Sequence, residues 1–433
     1  MGYNIDMEMK KYRPRVVDSL IKKKLRSSGA VLIEGAKWCG KTTTASEFAK
    51  SELRLGKPTE LRQAQLLALS GINELLDGAT PRLIDEWQVM PELWDAARSE
   101  IDDRGKFGQF IFTGSAVPVD KTKIIHSGAG RFAWVRMRPM SLFESGDSNG
   151  EVSLNGLFGG KRIKGESELT IKDLAFVVCR GGFPNSLFTK ARNDALMISE
   201  DYYSAVIHSD LARLDGVNRS PEYIARLLRS YARFQGEQVA LTQIQDDMGG
   251  MTGNSPNINT ISSYHEALKK IFVVEDAPAW SPNLRSKTAI RTSDTRYFVD
   301  PSIATAALGT DPEGLFADLK TFGFIFETLC MRDLRVYADA LGGEVSHYRD
   351  SNGLECDAVV HLRNGDYGLI QFKLGGDDDE VESAAASMKD LAGNIDTEKM
   401  KEPAFMMVLT GANKNAYQRG DGVYVVPVGC LGP

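Results

Sequence analysis

Residues Gly35-Ala36-Lys37-Trp38-Cys39-Gly40-Lys41-Thr42 satisfy every fixed position of the pattern G-x-x-x-x-G-K-[ST]. No other stretch restricts the folding of the chain as much. The pattern works only where an apolar strand runs in and a helix runs out. Ala30-Val31-Leu32-Ile33 precedes it, and the helical segment from Thr42 to Lys50 follows. Glycine lets successive backbone N–H groups turn inward on phosphate oxygens, from Gly35 through Ala36, Lys37, Trp38, Cys39 and Gly40 to Lys41, Thr42 and Thr43. Lys41 is placed to reach the terminal phosphates, and the Thr42 hydroxyl to ligate Mg²⁺. At ordinary residue frequencies about 0.03 chance matches are expected in a chain of this length. ATP and Mg²⁺ are the ligands this loop predicts.

Such a loop needs an acidic strand end beside it. Leu83-Ile84-Asp85-Glu86 supplies one, with Asp85 lying 44 residues after Lys41. Asp85 is expected to hold the Mg²⁺ shell and Glu86 to orient or polarise the attacking water. A third run, Phe110-Ile111-Phe112, ends in Thr113-Gly114-Ser115, and a hydroxyl there, that of Ser115, is placed to sense the γ-phosphate. Strand-like runs alternate with helical patterns such as Glu92 to Glu100, which predicts a parallel α/β sheet over residues 29–145. Val16, Val17, Leu20, Ile21 and Leu25 have helical spacing and predict a helix within 1–28.

Composition limits the alternatives. The 433 residues include 52 Lys+Arg and 58 Asp+Glu, a net charge of −6, and 42 % are hydrophobic, as in an ordinary soluble protein. No stretch approaches the roughly 18 apolar residues of a membrane helix, and the first residues lack a secretory h-region. The expected compartment is the cytoplasm, without a membrane partner. The five cysteines are far apart and the five histidines scattered, so neither a disulfide framework nor a zinc site is indicated.

Beyond Glu144, Ser145 to Gly160 is rich in Gly, Ser and Asn and reads as a loop or boundary. Residues 146–224 are mostly helical in pattern, broken at Arg180-Gly181-Gly182-Phe183-Pro184. Residues 225–308 give helices and then two strand-like runs, Ile271 to Glu275 and Tyr297 to Val299, the winged-helix order. There the helix Thr260 to Lys270 would offer Ser262, Ser263, His265 and Glu266 on its exposed face, not the Arg or Lys that usually reads bases. Residues 309–433 open with a helix through Phe326, Leu329 and Leu334 and continue with five strands, a separate α/β domain.

In order, GAKWCGKTT, LIDEWQVMPELW, FIFTGSA, Ala129-Gly130-Arg131, RPMSLFE and GGFP resemble the blocks of the prokaryotic AAA+ superfamily ATPases that carry a C-terminal domain of unknown function. The similarity runs from about Tyr12 to the end. It implies a P-loop ATPase core, a helical lid, a winged helix and a C-terminal domain resembling restriction endonucleases of the PD-(D/E)xK type. It also makes Arg131 a cationic partner for the transferring phosphoryl group, acting within the chain or from a neighbouring copy.

In that last domain, alternation places Glu355 and Asp357 on one strand face, and Gln371 and Lys373 on one face of the next strand. Asp357, Gln371 and Lys373, with Glu327 on the preceding helix, resemble the D…(D/E)-x-K nuclease core. Gln371 stands where that core has an acid, which removes charge from a metal site. Two functional classes follow. In one, ATP hydrolysis drives or licenses a transaction on DNA. The alternative is a nucleotide-gated switch that recruits another protein through a catalytically inactive nuclease-like domain, and either class admits an oligomer.

Overall fold

The computed structural model describes residues 12–433 except 115–126, 212–213, 215–216, 218, 253–255 and 286–287. Helix α1 (Asp18–Leu25) leads into β1 (Ala30–Glu34), and α2 (Lys41–Ser46), β2 (Ser51–Arg54), α3 (Pro58–Ala68), β3 (Arg82–Asp85), α4 (Glu92–Arg104), β4 (Phe110–Gly114) and β5 (Phe132–Arg136) follow. The five strands form one parallel sheet in the order β2-β3-β4-β1-β5. Unbroken apolar runs make β1, β3 and β4 strands that are buried on both faces. Leu32, Ile84, Phe110 and Phe112 pack with Trp87 and Trp94 on one face, and Val31, Ile33, Leu83 and Ile111 pack with Ile21 of α1 on the other. β2 has no such run, and β5, whose run Phe132 to Val135 lies at the sheet edge with Trp134 exposed, also escapes the sequence reading. From β1 the chain crosses to the far edge at β2, so the loop after β1 lies where strand order reverses, the usual ligand crevice of an open α/β sheet.

The rest of the chain comprises α5 (Leu142–Ser145), β6 (Val152–Ser153), α6 (Leu154–Phe158), β7 (Gly165–Glu166), α7 (Ile171–Arg180), α8 (Pro184–Leu187) and α9 (Arg192–Ala205), which runs into a π-helical turn, Val206–Asp210. Then come α10 (Pro221–Arg233), α11 (Leu241–Thr252), α12 (Ile258–Lys270), α13 (Pro301–Leu308), α14 (Pro312–Ala317) and α15 (Leu319–Leu341). A second sheet is built from β8 (Gly343–Arg349), β9 (Glu355–Leu362), β10 (Tyr367–Lys373), β11 (Phe405–Thr410), β12 (Asn415–Gln418) and β13 (Tyr424–Pro427), with α16 (Asp378–Asn394) packed on it and β14 (Leu431–Gly432) closing the chain.

That sheet has the order β7-β12-β13-β11-β10-β9-β8, and β14 pairs separately with β6. The stretch expected to be helical therefore lends β6 and β7 to the C-terminal strands. Helix α15 is the common floor. At 23 residues it is about 34 Å long, and its residues share one apolar core with Ala36, α7, α10, α12, α13 and one face of the second sheet.

Two expectations for the region before α13 change. The runs Ile271 to Glu275 and Tyr297 to Val299 pair antiparallel over a short stretch only, with the Glu275 N–H donating to the Tyr297 carbonyl at 2.9 Å and the Val299 N–H to the Val273 carbonyl at 3.0 Å. His265 is buried, not exposed, because Asp276 draws it inward at 3.1 Å together with Arg296 at 2.7 Å.

Arg138 ties the first sheet to this region through Glu275, at 2.7 Å, and Asp339 of α15. Burial would raise the Glu275 carboxyl, but the guanidinium groups of Arg138, Arg335 and Arg136 outweigh it and hold it far below the usual carboxylate range. The folded value thus lies below the unfolded one. The stability Glu275 contributes is full above its ordinary value of about 4.3 and is lost as pH falls below that. Thermal unfolding followed from pH 7 to pH 3 should show this acid limb. Glu275→Gln should start lower at pH 7 and fall less steeply; an unchanged slope would count against the assignment.

Candidate nucleotide site

The loop between β1 and α2 takes its shape from three backbone positions in the left-handed region, Gly35 at φ +155°, Trp38 at +62° and Gly40 at +101°. At Gly35 a side chain is excluded outright, since a Cβ there would lie 1.9 Å from the Met137 carbonyl oxygen. Among the described residues, the backbone N–H groups of Lys37, Trp38 and Gly40 find no acceptor. Such a concavity of free donors is what a phosphate satisfies. Lys41 is buried and donates from Nζ to the carbonyls of Gly35 (2.9 Å) and Ala36 (2.8 Å), so its charge already sits under the loop.

The sheet register brings the other groups alongside. Thr113 pairs with both Ile33 and Asp85 across the strands, which puts the ends of β1, β3 and β4 in one row. The Thr42 hydroxyl donates to Asp85 Oδ1 at 2.8 Å, and Thr113 donates to the same oxygen. Hydroxyl and carboxylate oxygens side by side are a donor set that suits a hard cation such as Mg²⁺.

Glu86 follows in the left-handed region at φ +57°. A non-glycine residue there costs roughly 1–3 kcal/mol, and such strain gathers at functional sites. Its carboxylate accepts from the Gln88 amide. Ser115 lies outside the described residues.

Trp38 and Lys37 reach across to the helical region. Trp38 is 48 % exposed and its ring lies 5.7 Å from that of Tyr202, while Lys37 pairs with Asp210 in the π-helical turn. Underneath, Arg15 bonds to Cys39, Arg138 and Glu144. Sequence reasoning missed Arg15 and Glu144. The one local signal was Ser141-Leu142-Phe143-Glu144, which forms a capping box.

Arg131 corrects an expectation. Its carbonyl accepts from Ala30, so it lies at the opposite end of the sheet from the loop, about 13 Å away along four strand residues. Its guanidinium pairs with Asp102 at 2.8 and 3.2 Å. It is not a phosphate partner within its own chain.

The C-terminal candidates Gln371 and Asp357 each bond to a neighbouring backbone. Gln371 donates its amide to the Glu355 backbone carbonyl at 2.8 Å, and Asp357 accepts from the Phe372 N–H at 2.7 Å. These bonds fix both side chains and leave Gln371 Oε1 and Asp357 Oδ1 outside them. Burial pushes Asp357 up to about 6, against the Phe372 N–H and Lys373. Glu327 is raised well above its ordinary value by burial and by Asp357, with Lys373 opposing. Glu327, Asp357 and Lys373 are thus electrostatic neighbours. Among the described residues, however, no group of three or more His, Cys, Asp or Glu is placed to hold a metal.

With this geometry in view, comparison with known proteins is informative for the first sheet. A family model described as an AAA domain matches residues 27–145. Two domains of unknown function match residues 171–314 (DUF8612) and 322–431 (DUF4143). The fold, the loop and this match together define an α/β protein with a P-loop ATPase domain that binds ATP.

No curated protein matches the chain. Among solved structures, a Walker-type ATPase of Pyrococcus abyssi is similar at 14 % identity and a TM-score of 0.41, over 68 % of this chain and 96 % of that one. A Signal Transduction ATPase with Numerous Domains protein with a tetratricopeptide repeat sensor, from Pyrococcus horikoshii, is similar at 14 % identity and a TM-score of 0.25, over 76 % of this chain and 48 % of that one. No helix among the described residues is long and apolar enough to cross a membrane.

Proposed function

We propose that the chain hydrolyses ATP with the help of Mg²⁺. The observation that carries this reading is the row Thr42, Asp85 and Thr113, with Glu86 next in the chain and held in a left-handed conformation. Thr42 and Asp85 would hold Mg²⁺, which when bound supplies charge neutralisation at the phosphate oxygens. The free N–H groups of the loop and Lys41 bind and orient the triphosphate. Glu86 accepts the proton of the attacking water as the bond from the γ-phosphorus to its bridging oxygen breaks and ADP leaves.

ATP turnover measured with and without single- and double-stranded DNA tests the reading. The wild type should release phosphate and Lys41→Ala should not; an inactive wild type, or an unaffected Lys41→Ala, would sink it.

For the C-terminal region we favour the switch over the nuclease. An uncharged Gln371 where the nuclease core has an acid supports a nuclease-like domain that does not cut. The exposed side of α12, with Ser263, Glu266 and Lys270, likewise suits a protein partner better than base edges. In a cleavage assay with Mg²⁺ or Mn²⁺, wild type and Asp357→Ala should show the same background. Cutting by the wild type that Asp357→Ala abolishes would reverse this choice.

A further inference from the structure

Arg15 stands just before α1 and is 5 % exposed. Its Nε donates to Glu144 Oε1, its Nη1 to the Cys39 carbonyl and its Nη2 to the Arg138 carbonyl, each at 2.9 Å. One planar guanidinium therefore spans three segments, which the point charge of a lysine does not do. Glu144 is saturated without help from the loop, since it also accepts from the N–H groups of Val16 and Ser141, each at 2.8 Å. Neutralising Glu144 thus leaves the contact with Cys39 unexplained.

That contact bears on the phosphate loop through the geometry of one peptide. In a trans peptide the carbonyl and the following N–H point to opposite sides. With the Cys39 carbonyl drawn back onto Arg15, the Gly40 N–H is turned away from Arg15, and it has no acceptor among the described residues. The left-handed φ of Gly40, +101°, accompanies this orientation. The contact with Arg138 anchors the same guanidinium beside Met137, whose carbonyl presses on Gly35 at the other end of the loop.

From this we infer that Arg15 is a positioning residue for the nucleotide: it holds the Cys39–Gly40 peptide so that the Gly40 N–H faces the phosphates. The inference rests on ATP binding at this loop. A purely structural role in a buried ion pair makes a different prediction, because replacing such a pair by neutral groups of similar shape is often tolerated.

The test uses the full chain, with ATP affinity from calorimetric titration in Mg²⁺ buffer and the nucleotide-free thermal midpoint as the measure of folding. Arg15→Lys keeps the charge opposite Glu144 but loses the span, and Arg15→Met combined with Glu144→Gln removes both charges. Both should keep a midpoint near that of the wild type and bind ATP at least about tenfold more weakly, the loss of one hydrogen bond's worth of affinity. Either variant folding normally and binding ATP within twofold of wild type would overturn the inference. If the double variant fails to fold, Arg15→Lys alone decides. A wild type that binds no ATP would overturn the nucleotide reading itself, so the two failures are distinct.

Discussion

Glu86→Gln should lower ATP turnover by about 10²–10⁴-fold, the usual contribution of a general base, and leave ATP affinity near that of the wild type. Glutamine keeps the size of the side chain and an acceptor for the Gln88 amide, so the left-handed backbone at this position has no new reason to relax. What it loses is the ability to take a proton from water. Binding should survive because the groups that meet phosphate belong to the loop and to Lys41, on a different strand connection. Single-turnover phosphate release beside equilibrium ATP binding separates the two effects. Turnover within about tenfold of wild type would show that Glu86 is not the base.

The second large effect is structural. Arg332 is 2 % exposed and pairs with Asp300 at 3.0 Å and Asp333 at 2.7 Å. Asp300 also accepts from the Gly182 N–H at 2.9 Å, and Asp333 from the Leu142 N–H at 2.9 Å. The network thereby joins the GGFP and RPMSLFE segments, both beside the loop, to α13 and α15. Asp333 lies at about 6, because burial outweighs the guanidinium and the Leu142 N–H.

Arg332→Met would leave two buried carboxylates without their cation and should cost about 3–5 kcal/mol. Chemical denaturation of the full chain measures it. A loss below about 1 kcal/mol, the size of a surface ion pair, would mean that the network is not what holds these segments together.

The parts of the site that were legible in the sequence are those set by neighbouring residues. The loop, the run into it and the acidic pair Asp85-Glu86 announce themselves within about ten residues each, because backbone shape and strand burial are local demands. Five of the six strands from β8 to β13 were legible for the same reason, and short, exposed β12 was not. His265 shows the limit. Its spacing put it on an open helix face, and only Asp276, brought across by the following chain, draws it inside. Gln371 and Asp357 show another, since alternation assigns a face but not whether a side chain spends its polar atoms on a neighbouring backbone.

By itself the sequence determined that a parallel sheet carries a phosphate-binding loop with an acidic strand end beside it, because each needs only its own few residues and their periodicity. Tertiary structure alone decided what sits beneath and around that loop. Arg15 reaches Cys39 across 24 residues and Glu144 across 129, and Arg131 is carried to the far end of the sheet by the direction of β5. Arg15 and Arg138 find their partners through the packing of whole elements, and nothing in the residues beside them in the chain records which partner that will be.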